Sequence, residues 1–189
     1  MNLKQSQNVM SKFYTEIPDN IAEFIKKQPI FFVGTAATEG TVNVSPKGMD
    51  TFRILDKNRV LWLNLTGSGN ETAAHLLQNN RMTIMFCSFE GKPLILRLYG
   101  KAKIYHSKNK EWQEYIDLFP KIAGTRQLIE IHIDRIQTSC GYAVPFMEHQ
   151  GEREQLKNWA EKQGEERLEK YRKDKNSKSI DNFETGLLD

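Results

Sequence analysis

The sequence predicts a mainly β protein: an antiparallel strand array closed into a barrel, with helices at its edge. Two observations lead there. Short segments rich in Val, Ile, Leu and Phe recur up to about residue 134, several alternating apolar with polar side chains. Most of their connections are hairpin-length and carry Gly, Pro, Asn or Asp. The 189 residues suit one domain with an appendage, long enough to bury a core.

Residues 10–28 read as a helix, with Pro18 near its start and Ile21, Ala22, Phe24 and Ile25 at helical spacing. Pro29 ends it, because the residue before proline avoids the α region. Residues 30–36 form a buried strand, 38–40 a turn, and 41–45 an alternating strand at hairpin spacing. Residues 52–55 are a short strand, 56–58 a turn and 59–65 a further strand. The loop 66–70, Thr-Gly-Ser-Gly-Asn, leads into a short helix over 71–79. Strands follow at 81–87 and 94–105, joined by Glu90-Gly91-Lys92-Pro93. Residues 108–119 read as a helix with Trp112, Tyr115, Ile116 and Phe119 on one face. The last strand is 128–134. The single helix between strands does not make a doubly wound fold, because the neighbouring connections are too short. No repeat period is present.

The sequence divides into 1–149, the barrel, and 150–189, a charged helical extension. In the extension only Leu156, Trp159, Leu168 and Tyr171 are large and apolar before the final stretch. It reads either as a helix docked by those anchors or as a solvated helix laced by i,i+4 pairs, weakened at Gly164. Residues 176–189 read as a loose end or an arm over a partner.

Composition excludes several classes. The net charge is +3, from 27 basic and 24 acidic residues spread along the chain, which makes no basic stripe for nucleic acid. Mean hydropathy is −0.60. No apolar run reaches the ~18 residues of a spanning helix, so no membrane association is expected. The N-terminus shows no signal-peptide pattern. Cys87 and Cys140 have no CxxC or Cys/His spacing, which argues against a disulfide framework or a metal site. The expected compartment is the cytoplasm.

No catalytic constellation stands out. His75, His106, His132 and His149 lack partners at ligand spacing. His132 alternates with Glu130 and Asp134 on a strand's polar face, and Cys140 has no paired base in view. The pattern favours anion binding instead. Ser45-Pro46-Lys47-Gly48 closes one strand, and residues 66–72 link a strand to a helix N-terminus. Glycines let backbone N–H groups approach a phosphate, and a helix start carries positive partial charge. Lys47 supplies counter-charge, Ser68, Asn70 and Thr72 supply donors, and Arg97 is a second cation. No Rossmann fingerprint accompanies them.

Three segments, covering about residues 30–105, resemble the pyridoxamine 5′-phosphate oxidase-like flavoproteins. Residues 41–48 resemble the family's second strand with its SP+G ending. The unit 60–86 is similar to its strand–loop–helix–strand, with Asn79-Asn80-Arg81-Met82 at the NPRV join. Leu96-Arg97-Leu98-Tyr99-Gly100-Lys101-Ala102 resembles its R-x-x-G-x-A strand. The resemblance implies a six-stranded antiparallel split β-barrel and FMN held in a cleft between two subunits. Carried over, Lys47 neutralises the phosphate, Ser45 lies near the ring or ribityl chain, Leu63, Asn64, Leu65 and Thr66 line the flavin, and Asn70 and Thr72 donate to phosphate.

There are departures. The oxidases proper carry S-R-K where this chain has Asn70-Glu71-Thr72. A carboxylate thus replaces a cation, leaving Lys47, Arg53 and Arg97 to supply charge or leaving a weaker phosphate site. Residues 139–145, Ser-Cys-Gly-Tyr-Ala-Val-Pro, and 175–181, Lys-Asn-Ser-Lys-Ser-Ile-Asp, resemble a separate branch of the family. In that branch Tyr142 either caps the flavin pocket or packs the barrel's end. The resemblance implies a homodimeric oxidoreductase moving a hydride or electrons between FMN and a small molecule, NAD(P)H among the candidates. Two alternatives stand beside it. One is a non-catalytic binder or sensor of flavin, deazaflavin or haem, with His75 or His149 as haem ligand. The other is a barrel without cofactor acting as an interaction module, which Glu71 favours.

Overall fold

The computed structural model describes residues 11–187. Eight strands form one sheet: β1 Ser11–Tyr14, β2 Phe31–Thr35, β3 Asn43–Lys47, β4 Phe52–Ile54, β5 Arg59–Leu65, β6 Arg81–Cys87, β7 Ile95–Tyr105 and β8 Thr125–Ser139. Its order is β3-β2-β6-β7-β8-β5-β4, with β1 also paired to β8, and every pairing is antiparallel. The two ends of this ladder, β3 and β4, are consecutive in the chain and separated only by residues 48–51. So short a link cannot span an open sheet, so the sheet must curl until its edges meet. The result is a split barrel, open between β3 and β4, with six longer strands and the short β1 and β4 as additions.

The core follows from alternation. Val33, Ile84, Leu96, Leu98, Ile129, Ile131 and Ile136 are fully enclosed inside the curl, around Trp62 and Phe86. Helix α1, Asp19–Lys26, closes one end with Ile21 and Ile25. Helix α3, Lys110–Tyr115, and a 3₁₀ turn, Ile116–Leu118, pack Trp112, Tyr115 and Ile116 on Leu61, Leu63 and Leu128, on the face their spacing predicts. Gly100 sits where β7 and β8 shift register, with its α-carbon against the His132 carbonyl; a Cβ there would lie inside that oxygen's radius.

Three expectations need correction. Residues 10–28 are not one helix: Ser11–Tyr14 is a strand on β8, α1 begins only after Pro18, and residue 10 lies outside the described residues. The last strand is not 128–134 but the fifteen residues of β8, long enough to pair with β1, β5 and β7. The stretch 176–187 is not loose, because Asn176, Ser179 and Thr185 are buried against the protein's own barrel; residues 188–189 lie outside the described set. Helix α4, Gln155–Asn176, breaks at Gly164 (φ 69°), as the sequence foresaw, and Ala160 and Leu168 dock it. Among the described residues no helix is long and apolar enough to cross a membrane.

Candidate functional site

Alternation on β3 sends Asn43, Ser45 and Lys47 to one face and leaves Val44 and Pro46 on the other, exposed. The first face borders a cavity of about 530 Å³, a size ordinary for a cofactor. Its wall continues through Trp62, Asn64 and Leu65 of β5, the loop Gly67, Ser68, Gly69 and Asn70, and Glu71 and Thr72 at the start of α2, Glu71–Gln78. Arg126 of β8 enters beside them, and Lys175, Lys178, Ser179 and Ile180 close the far side.

Electrostatically the cavity is cationic in its depth. Lys47 lies over the Trp62 ring, 5.1 Å from its centroid. Burial, and secondarily the nearby Arg126, push its ammonium down to about 8. Arg126 is only 7% exposed. Burial, then Arg172, lowers its guanidinium well below the ordinary arginine value. Its Nη1 donates to the Gly69 carbonyl at 3.0 Å and to Asn176 Oδ1 at 2.6 Å, both neutral acceptors. Among the described residues neither cation forms an ion pair. A buried charge is normally paired, yet the buried Arg126 and the half-buried Lys47 border one cavity without a counter-ion among the described residues.

The polar lining is only partly satisfied. Asn70 Nδ2 donates to the Asn176 carbonyl at 3.4 Å, while its Oδ1 and the Arg126 Nε have no partner. Thr72 accepts from Asn43 Nδ2 at 3.3 Å, which leaves its own proton for another acceptor. No side chain caps α2; the Ala73 N–H donates to the Asn70 carbonyl at 3.0 Å, which leaves the Glu71 and Thr72 N–H groups at the helix start without a capping side chain. Asn64 Nδ2 donates to Gln127 Oε1 at 3.2 Å.

Of the residues the sequence singled out, Ser45, Lys47, Asn64, Leu65, Ser68, Asn70 and Thr72 line this single cavity. Thr66 lies beneath it: its hydroxyl donates to the Gly124 carbonyl at 2.8 Å and accepts from Arg172 Nε at 2.9 Å. Arg97 and Tyr142 do not line it. Arg97 stands on the outward face of β7, donating to Ser139 Oγ at 3.2 Å. Tyr142 follows the turn at Gly141, which packs against Leu94 just before β7, and is largely exposed. Arg53 is engaged by Asp50 and the Phe119 ring, away from the cavity. His75, on α2, is fully buried, its Nδ1 3.1 Å from Thr35 Oγ1, and His149 pairs with Glu152 at 3.6 Å. Among the described residues no His, Cys, Asp and Glu cluster could hold a metal.

Sequence reasoning missed Arg126, Asn43, Trp62 as a cation platform, and the lysines of the C-terminal segment. Asn43 was findable, being two residues from Ser45 and four from Lys47 on one strand face. Arg126 offered no signal, because only burial distinguishes it from a solvated arginine.

A curled, split antiparallel barrel with a cationic cavity at a strand–loop–helix corner defines a split-barrel protein. Residues 17–140 match the model of the pyridoxamine 5′-phosphate oxidases, and the chain belongs to that family. It is 36% identical over 144 residues to the pyridoxamine 5′-phosphate oxidase family protein ustO of Aspergillus flavus, a match covering 74% of this chain and 58% of that relative's length. Among solved structures, HupZ of Group A Streptococcus is similar over 64% of this chain and 91% of its own, at 21% identity and a TM-score of 0.51. A Lactobacillus delbrueckii protein provisionally described as a pyridoxamine 5′-phosphate oxidase is similar over 65% of this chain and 94% of its own, at 13% identity and a TM-score of 0.53. Likeness at such identities is one of fold.

Proposed function

We propose that the chain is an FMN-binding flavoprotein and an oxidoreductase that moves a hydride or electrons between FMN and a small molecule, with NAD(P)H the first donor to try. The observation that carries this reading is the pair of half-buried Lys47 and buried Arg126, beside one cavity and without an ion pair among the described residues. Membership of the oxidase family supports a flavin as the ligand.

When bound, FMN supplies the redox chemistry itself. The chain's own residues bind and orient. Lys47 and Arg126 neutralise the phosphate, and Ser68, Asn70, Thr72 and the α2 amides hydrogen-bond it. Asn43, Ser45, Asn64 and Leu65 provide a mixed polar and apolar wall for the remainder. Among the described residues no Cys or His borders the cavity, and a hydride transfer through a flavin needs none. Glu71 does not argue for a barrel without cofactor, because its carboxylate accepts the Ile180 N–H at 3.1 Å and so has a structural task.

The proposal includes a homodimer. Register places Pro46, Phe32, Met85, Arg97, Gln137 and Phe13 in one row across the outward sheet face, with Val44, Gly34, Thr83 and Tyr99 in the next. Val44 is 66% exposed there. A second copy covering this face would bring Arg97 and Tyr142 into use at the interface.

The test is the visible spectrum of the purified protein after incubation with FMN and desalting. A retained flavin spectrum that NAD(P)H bleaches supports the whole reading. A retained spectrum that no reduced donor bleaches leaves a binder without turnover. Failure to retain FMN refutes the cofactor assignment.

A further inference from the structure

Resting on the cavity's reading as an anion site, we propose that the C-terminal segment 172–185 is half of that site. Asn176 aims Arg126, and Lys175 and Lys178 make the cavity select the phosphorylated over the unphosphorylated form of its ligand.

The segment is fastened to the glycine loop residue by residue. Arg172 donates from Nε to Thr66 Oγ1 at 2.9 Å and from Nη2 to the Thr125 carbonyl at 3.1 Å. Asn176 is completely buried although it ends a helix of charged residues. Its Nδ2 donates to the Gly67 carbonyl at 3.1 Å, and its own carbonyl accepts from Asn70 and from Thr185. The Ile180 N–H reaches Glu71, and Asp181 accepts from the N–H and hydroxyl of Thr41 at 2.8 and 2.9 Å. Each contact leads to the loop, the α2 start or the strands behind them, not to an arbitrary surface.

The chemistry of these contacts is informative. A carboxylate is the ordinary partner for a buried guanidinium. An amide at position 176 holds Arg126 by a hydrogen bond of 2.6 Å without cancelling its charge. Glu71, the one carboxylate bordering the cavity among the described residues, is turned to docking the segment. The segment then returns positive charge. Lys175 borders the cavity without an ion pair among the described residues, while Lys178 is shared with Glu184 at 3.2 Å. Lys175 is therefore the stronger contributor. A neutral ligand body gains nothing from these ammonium groups, whereas a phosphate dianion does, so they act on selectivity.

The variants are Lys175→Ala, Lys178→Ala and the double variant; both side chains are exposed, so the fold is retained. Calorimetric titration uses FMN, riboflavin and inorganic phosphate. The double variant is expected to bind FMN about tenfold more weakly, with Lys175→Ala giving most of the loss and riboflavin unchanged. Phosphate affinity should fall in parallel. If the wild type binds no flavin but binds phosphate, and the double variant loses phosphate, the cofactor assignment falls while the role of the segment stands. A double variant that binds FMN and phosphate as tightly as the wild type overturns the proposal. So does equal loss of riboflavin and FMN, since the lysines would then act on the fold and not on the charge.

Discussion

Lys47→Met has consequences of opposite sign for the protein and for its ligand. Methionine keeps an unbranched apolar stem against Trp62 and removes the charge. The ammonium's fall from 10.5 to about 8 corresponds, at 1.36 kcal/mol per tenfold in proton affinity, to about 3 kcal/mol of penalty for holding it charged in the folded protein. Loss of the contact with the Trp62 face, worth about 0.5–2 kcal/mol, offsets part of that gain. Lys47→Met should therefore stabilise the ligand-free protein at pH 7 by about 1–3 kcal/mol in urea denaturation. The same change should weaken FMN binding by about 1.5–3 kcal/mol, the worth of a charge-assisted contact. The pH dependence follows in sign. Because the folded-state value lies below the unfolded one, the unfolded chain binds more protons between about 8 and 10.5. This group's penalty is thus complete below about pH 8 and fades as the pH rises to 10.5, while the affinity for phosphate falls over the same rise. The stability difference between variant and wild type should shrink across that window. A Met variant less stable than the wild type at pH 7 with undiminished FMN affinity would refute both the unpaired-cation argument and the placement of the phosphate.

Three further outcomes are expected. Gly100→Ala forces a methyl group into the His132 carbonyl at the β7–β8 register shift, so it should cost more than the ~1–3 kcal/mol of ordinary overpacking; a urea midpoint like the wild type's would show the strands can part cheaply. Thr66→Val removes the hydroxyl donor to Gly124, whose carbonyl keeps the backbone N–H of residue 66, and strands Arg172 Nε, a loss of about 1–3 kcal/mol readable by thermal denaturation, with FMN retained less well because the loop loosens. Val44→Asp places a charge on the outward sheet face and should convert a dimer to a monomer in sedimentation velocity; a dimer that persists moves the interface elsewhere.

Much of the barrel was legible because its strands obey one rule, alternation about a buried interior. Residues 41–45 alternate in the opposite sense, with Val42 and Val44 exposed and Asn43 and Ser45 facing the cavity. What escaped does not obey that rule. Ser11–Tyr14 carries no period of its own and becomes a strand only because β8 offers it an edge, so tertiary pairing overrode the local reading. β8 begins three residues earlier than predicted because Arg126 and Gln127 are buried yet polar, which a hydropathy pattern reads as loop. The C-terminal segment looked solvated for the same reason. Its attachment runs through Asn176, Asp181 and Arg172, and hydrogen bonds between scattered polar groups leave no periodic trace in a sequence.

The residues that broke the sequence pattern are the ones that build the site, and the physics makes this more than coincidence. A chain selected for stability alone would place a carboxylate beside Arg126 or an apolar residue in its stead, since either arrangement costs less than a buried cation without a counter-ion. This chain does neither. It surrounds Arg126 with the Gly69 carbonyl and the Asn176 amide, sets Lys47 on an aromatic face, and directs Glu71 to the Ile180 N–H. Each choice fixes a cation or removes an anion while leaving the positive field uncancelled. Local inconsistency of this kind is expected where binding, not folding, sets the residue. It also explains why an extension of such low hydropathy is attached by Ala160, Leu168 and Asn176 instead of being left in solvent. Without it Arg126 would lose one of its two acceptors and the loop 66–71 would lose its fastening. The barrel and the extension are on this argument one binding unit, and truncation before residue 172 should abolish anion binding while leaving the strand ladder, which α4 does not join, intact in the far-ultraviolet spectrum.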